Sequence, residues 1–349
     1  MIKIKTITAV AAVAAVAAVG ITSAATAKER TINAVTSLQQ TNVLAKAFLQ
    51  KFVAVANKAG KGVLQIKYLG GQEIVPPRKA ASALKRGQFD MLSSPTAYYI
   101  GTVPEGYGLL ASNQGPRVLR TNGGWKLLQK IYAEKAGSHL LSWGSNMTSY
   151  HMYLVKKPKI GADGLPNLQG YKMRATGTYR PLFRALGATT INIKSSEIIT
   201  AVQRGTVDGF GMTDVSLPAI GLHVVTKYRV QPNFYQTNTV ETVNLKTWNS
   251  LTQAQKNFLN RIGVEFEVTS IQFVEAVRLQ EEKIIKKTGI IDVVLKGKSA
   301  AKYLEIAHGE IWKELKKRSK YHDQLRPLLY HPGAANRQLK IKQNLDMNR

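Results

Sequence analysis

One eight-residue pattern occurs twice, and it constrains the fold more than any other feature of the chain. Ala83-Leu84-Lys85-Arg86-Gly87-Gln88-Phe89-Asp90 is echoed by Ala201-Val202-Gln203-Arg204-Gly205-Thr206-Val207-Asp208. In each copy a helix is expected to end on a glycine suited to the left-handed closing position, with a strand beginning within two residues. Each copy also closes a strand–helix unit, residues 63–86 in one case and 171–204 in the other. Helix–Gly–strand joints recur in any α/β protein, so the echo alone would not establish a duplication. The matched order of the flanking elements points to two similarly built lobes.

The surrounding pattern agrees with an α/β chain. Residues 30–35 form a strand candidate. Leu44, Ala47, Phe48 and Val55 have helical spacing over 43–56, and Gly60 stops that helix. Residues 63–68 alternate as a strand, Gly70-Gly71 turns the chain, and Pro76-Pro77 opens a helix to about Arg86. Strand and helix signals in alternation argue for mixed layers. Downstream, Thr252-Gln253-Ala254-Gln255 fits a capping box. Phe258, Leu259, Ile262, Phe266 and Ile271 then mark a helix long enough to span two lobes or break partway, and another helical stretch begins at 311–315.

The N-terminus reads as an export signal. Lys3 and Lys5 precede an Ala/Val-rich stretch over 7–21, and Ala25-Thr26-Ala27 supplies a small-residue cleavage pattern, placing cleavage after Ala27. That core is short and weakly apolar beside the roughly 20 residues a membrane span needs. With no cysteine in the chain, disulfides, thiolate metal sites and a lipid-modified cysteine are excluded. The mature protein is therefore expected to be exported, free and not embedded in a membrane.

Charge invites a different reading. Lys and Arg number 49 against 21 Asp and Glu, a formal net charge of +28. Nucleic-acid binding would need cations clustered on one face with aromatics for stacking. Here they are spread from Lys28 to Arg349, and the densest run, 313–320, reads as the solvated face of a helix. Nor does catalytic chemistry emerge. His139, His151, His223, His308, His322 and His331 lack metal-ligand spacing, and no nucleophile elbow or Walker loop is present. The Gly-x-Gly runs at 106–108 and 209–211 do not continue as dinucleotide fingerprints. Asp90 and Asp208 occupy equivalent places in the echo; a paired-acid hydrolase could use them, but a structural role after the turn is the simpler reading. No cofactor and no metal are expected.

At Tyr171-Lys172-Met173-Arg174 a family resemblance becomes specific. The stretch LQGYKMRATGTYRPLFRALGATTINIKSSEIITAVQRGTVDGFG, residues 168–211, resembles the signature region of the DctP family, the extracytoplasmic solute receptors of tripartite ATP-independent periplasmic (TRAP) transporters. The blocks GGQEIVPPRKAASALKRGQFDML, SSPTAYYIG, VTKYRVQPNFYQTN and VNLKTWNSL agree and stand in order, so the similarity reaches about residue 325.

The resemblance implies a two-lobed, type II-like periplasmic-binding-protein fold. Mixed sheets flanked by helices would enclose a cleft between the lobes, with a long helix in the C-terminal third. It divides the chain into the signal peptide 1–27, lobe I (28–150 and about 240–265), lobe II (151–239 and about 266–330) and a basic tail, 331–349. Hinge strands are expected near 148–155 and 238–245. It also implies that Arg174 holds a ligand carboxylate. A planar guanidinium offers two parallel donors that match a carboxylate, whereas an ordinary strand-ending surface cation would not need that fork.

Two departures from the family pattern narrow the ligand. Sialic-acid and C4-dicarboxylate receptors usually carry Glu-Asn after the Val-Asp-Gly turn, where this chain has Gly211-Met212. Many receptors also carry a second Arg where this chain has Tyr150. Losing an amide and a cation suggests a single carboxylate on an apolar or aromatic body. Tyr98, Tyr99, Tyr150, Tyr179, Phe210 and Met212 could line such a pocket or belong to the core. The Tyr98-Tyr99 pair resembles the 2-oxo-acid receptors, but the Glu-Trp those receptors carry after the turn is missing, so no metal beside the ligand is expected. Ser93 and Ser94 follow the first echo strand, where α/β clefts gather ligands. Asp214 could orient a ligand hydroxyl or cap the next segment, and Asn244 could serve ligand or hinge. The expected function is a receptor, not an enzyme, that passes a small carboxylate to small and large permease subunits. An ABC-type receptor, a secreted hydrolase and an anion-binding surface protein are the alternatives.

Overall fold

The computed structural model describes residues 28–332. The expected signal peptide, and all of the basic tail beyond Pro332, lie outside the described residues.

Two mixed sheets carry the architecture. The first runs in the order Leu64–Gly70, Arg30–Thr36, Met91–Pro95, Thr239–Asn244, Ser138–Ser142. The second runs Ile291–Val294, Tyr228–Phe234, Tyr150–Leu154, Gly209–Thr213, Lys172–Arg174, Thr189–Ile191. Each contains the same parallel trio, with its first strand in the middle: Arg30–Thr36 between Leu64–Gly70 and Met91–Pro95, and Lys172–Arg174 between Thr189–Ile191 and Gly209–Thr213. The next strand in each sheet is antiparallel and has just crossed from the other lobe, Thr239–Asn244 in one and Tyr150–Leu154 in the other.

The sequence echo lies at corresponding places in the two trios. Gly87 (φ 76°) and Gly205 (φ 66°) both take left-handed backbone, which costs glycine little. The following strands begin at Met91 and Gly209, slightly later than expected. In both lobes the aspartate just before the strand clamps the middle strand of its trio. Asp90 Oδ2 accepts the Asn33 amide and Asp208 Oδ2 accepts the Lys172 amide, each at 2.8 Å. Both carboxylates thereby complete the join between neighbouring strands instead of facing one another as a hydrolytic pair would.

The helix opened by the Thr252 capping box runs unbroken over Gln253–Ile285, 33 residues, or about 50 Å. Its first half buries Phe258, Leu259, Ile262 and Phe266 against Phe48, Phe52 and Leu141 of the first lobe. Its end packs Ile285 with Tyr153, Phe210 and Leu222 of the second. There Arg229 grips Glu282 through both terminal nitrogens at 2.7 and 2.9 Å and also bonds Asp292. Helix 43–59 packs beside the first half, its middle turns, Phe48–Val53, hydrogen-bonded as a π-helix. The helical stretch expected at 311–315 begins earlier, at Gly297.

The chain passes between lobes through residues 143–149 and again through 235–238. Gly144 is pressed so close to Phe266 of the long helix that a Cβ there would stand 2.2 Å from the ring, so a side chain at this position would have to displace that ring.

Candidate functional site

Arg174 ends the middle strand of the second trio, beside Phe210 of the echo strand. The strand delivers the side chain to the edge of the sheet that faces the first lobe. Only 5% of it is exposed. Nε donates to the carbonyl of Ile193 at 2.9 Å, and Nη1 reaches the carbonyl of Gly211 at 3.5 Å. Among the described residues no carboxylate pairs with it. Burial holds its pKa below the ordinary guanidinium value, partly offset by Tyr179 and Tyr98 nearby. The Nε bond fixes the guanidinium plane and leaves the terminal nitrogens weakly committed.

Phenols surround this cation from both lobes. Tyr98, half-buried on a single 3₁₀ turn (Thr96–Tyr98) of the first lobe, feels the Arg174 charge, which partly counters the rise that burial gives its pKa. Tyr150 and Tyr179 meet edge to face, 5.4 Å between centroids. Burial raises the pKa of both hydroxyls, so these rings are neutral at ordinary pH. Tyr179 lies over Gly211 and stacks on Phe183.

The structure separates the expected pocket residues into two groups. Arg174, Tyr98, Tyr150 and Tyr179 come together. The others are engaged elsewhere. Tyr99 turns into the first-lobe core near Tyr132. Ser94 accepts from the Ser37 hydroxyl at 2.7 Å and donates to Pro95 O, and Ser93 donates to Glu241. Phe210 is fully buried with Tyr153, Leu217 and Leu222, and Met212 joins that cluster at its margin. Asp214 accepts the Ser149 amide at the first crossing. Asn244 caps the helix Leu245–Ser250 with Oδ1 while its Nδ2 donates to Leu84 O at 2.6 Å.

Sequence reasoning missed two residues. Gly211 was read only as a lost contact, although its missing side chain makes room for Tyr179. Arg78, exposed in the first turn of the helix Pro77–Lys85, lies near enough for Tyr98 to feel its charge. Its place just after the Pro76-Pro77 helix start was the available signal. Among the described residues no His, Cys, Asp or Glu group is arranged to hold a metal, and no helix is long and apolar enough to cross a membrane.

A solute-binding protein of Albidiferax ferrireducens is 22% identical over 281 residues, covering 76% of this chain and 80% of the relative. A TRAP transporter solute-binding protein from Bordetella bronchiseptica, with calcium and picolinate in its active site, superposes with a TM-score of 0.74 at 17% identity, covering 92% of this chain and 97% of that one. A malonate-bound TRAP periplasmic protein from Rhodoferax ferrireducens gives 0.71 at 20% identity, over 89% and 99% of the two chains. An extracytoplasmic solute receptor from Bordetella pertussis that binds pyroglutamic acid gives 0.69 at 17%, over 86% and 99%. The profile of bacterial extracellular solute-binding protein, family 7 (DctP) matches residues 34–318. Its members are transport receptors, not enzymes, and this chain belongs to that family.

Proposed function

We propose that the chain is the exported solute receptor of a TRAP transporter. In this reading it captures a small organic acid between its lobes and hands it to the small and large membrane subunits of the permease. The ligand is a monocarboxylate with an apolar or aromatic body. The observation that carries this is Arg174, a buried guanidinium held by backbone carbonyls, with phenols around it and, among the described residues, no carboxylate as partner. A buried charge is costly unless it is paired, and a two-pronged carboxylate would supply the missing anion. A second carboxylate reaching toward Arg78 would meet an exposed cation, where water screens the attraction. Solved relatives hold acids of several kinds, among them L-gulonate, malonate and orotic acid, which supports an acid without choosing one.

The nearness of first-lobe Tyr98 to second-lobe Arg174 supports a closed form, held by contacts available only when the lobes meet about the two crossings. A thermal-shift series with benzoate, orotate, malonate and gulonate tests the reading, because a ligand that binds the folded form alone raises the melting temperature. Benzoate or orotate is expected to stabilise the receptor more than malonate at equal concentration. Stabilisation by malonate without any by the flat monoacids would overturn the monocarboxylate assignment.

A further inference from the structure

We propose that Gly211 and Tyr179 act as one specificity device, in which the absent side chain at 211 lets the Tyr179 ring lie against the strand and cover its backbone beside Arg174. This rests on the receptor reading above and adds which residues set the choice among acids.

The geometry is specific. A Cβ built on Gly211 would stand 2.5 Å from Tyr179 Cγ, 2.6 Å from Cδ1 and 2.8 Å from Cδ2. Those atoms belong to a ring fixed on its other sides by Tyr150, 5.4 Å away edge to face, and by Phe183, stacked at 6.0 Å. The ring therefore cannot yield as the loose end of a surface side chain would. Any residue larger than glycine at 211 must move the ring, and the ring in its observed place needs glycine at 211.

The same strand, Gly209-Phe210-Gly211-Met212-Thr213, carries no amide or carboxylate. Next to the Arg174 fork a bound acid therefore meets phenol carbon instead of a side-chain amide. A flat unsaturated acid gains from burial against such a wall. An acid bearing hydroxyls on the carbon next to its carboxylate would set any that point at this wall against ring carbon instead of an amide, which is costly.

A double-mutant cycle on Gly211→Ala and Tyr179→Ala tests the device, read by calorimetric affinity for benzoate and gulonate. Gly211→Ala is expected to weaken benzoate at least about tenfold when Tyr179 is present and less than about twofold in the Tyr179→Ala background. Tyr179→Ala alone is expected to shift the benzoate-to-gulonate preference at least about tenfold toward gulonate. Additive effects with an unchanged preference would overturn the proposal. Circular dichroism and melting without acid confirm that each variant is folded. Should Gly211→Ala not fold, the preference of Tyr179→Ala decides, since loss of packing alone would weaken both acids alike. If the unaltered protein bound none of the acids, the receptor reading itself would fail, an outcome distinct from acids that bind without a change in preference.

Discussion

Trp143 Nε1 donates to the carbonyl oxygen of Thr237 at 2.8 Å, joining the two segments that pass between the lobes. Around this bond Thr237 Oγ1 donates to Ser145 O at 2.6 Å and the Thr237 amide to Thr148 O at 2.7 Å. Among the described residues the non-glycine positions with left-handed backbone are Ser145 (φ 53°) and Tyr235 (φ 54°), one on each crossing. Such backbone is unfavourable for residues with side chains and persists where its surroundings hold it. The crossings are thus bonded to each other as a tied pair.

Trp143→Phe keeps an aromatic ring in a fully buried place but leaves the Thr237 carbonyl without its indole donor. A buried acceptor stripped of its partner costs about 1–3 kcal/mol. Denaturant unfolding should show that loss, with an unchanged slope. A difference under about 0.5 kcal/mol would mean that the bond contributes little to the tie.

Glu241 predicts a pH effect. Its carboxylate is fully buried on the strand that returns to the first lobe; Ser93, Ser142 and the Gly144 amide donate to it, and its pKa is pushed up to about 8 by burial. Glu267 lies near enough to raise it further. In the folded protein the group thus keeps its proton where the unfolded chain, near 4.5, has lost it. Its contribution is fully present below 4.5 and is lost as pH rises toward about 8, with a slope of at most about 1.4 kcal/mol per pH unit. Glu241→Gln should flatten the fall in stability between pH 5 and pH 8 (roughly the window set by those values) relative to the unaltered protein. Parallel pH profiles for the two would show that the carboxyl does not titrate there.

Arg120 and Glu267 make the other test of the crossing. Arg120 donates to both Glu267 oxygens, at 2.7 and 3.1 Å, and lies over the Trp125 ring at 4.1 Å. Glu267 also accepts the Trp143 amide, so the pair anchors the first crossing to the long helix. Arg120→Ala would strand a buried carboxylate, a change worth about 3–5 kcal/mol. Burial already raises the Glu267 pKa against the pull of Arg120, so without the arginine the acid should take up a proton more readily. The destabilisation should therefore be smaller in mildly acidic buffer than at alkaline pH. A loss equal at both would contradict this.

Much of the fold was legible because its signals are local. Gly87 and Gly205 mark helix ends by backbone need alone, and Thr252 with Gln255 caps a helix through neighbours in sequence. Arg174 was legible through the family motif that surrounds it. The pocket's composition was harder to read, because a tyrosine or serine at a strand end faces cleft or core according to partners far along the chain. Tyr98 and Tyr99 are adjacent, yet one meets Arg174 and the other packs near Tyr132. Ser94 is taken by Ser37 and Ser93 by Glu241, from distant strands and turns. Gly211 shows the same limit: an absent side chain acquires meaning only when the ring that fills its space is placed.

Arg174→Lys separates charge from shape at the proposed carboxylate site. Arginine uses Nε on Ile193 O to fix its plane, which aims both terminal nitrogens together. Lysine keeps the charge, but its ammonium cannot bond Ile193 and present a parallel fork at once. Since Arg174 makes no protein ion pair among the described residues, its replacement should leave the melting temperature of the free protein within about 4 °C. Affinity for whichever acid the thermal-shift series selects should fall about 10- to 100-fold by calorimetry, the scale of a lost charge-assisted bond in a closed site. Near-normal affinity in the lysine variant would remove Arg174 from the binding site and leave the phenol cluster without a partner for the acid's negative charge.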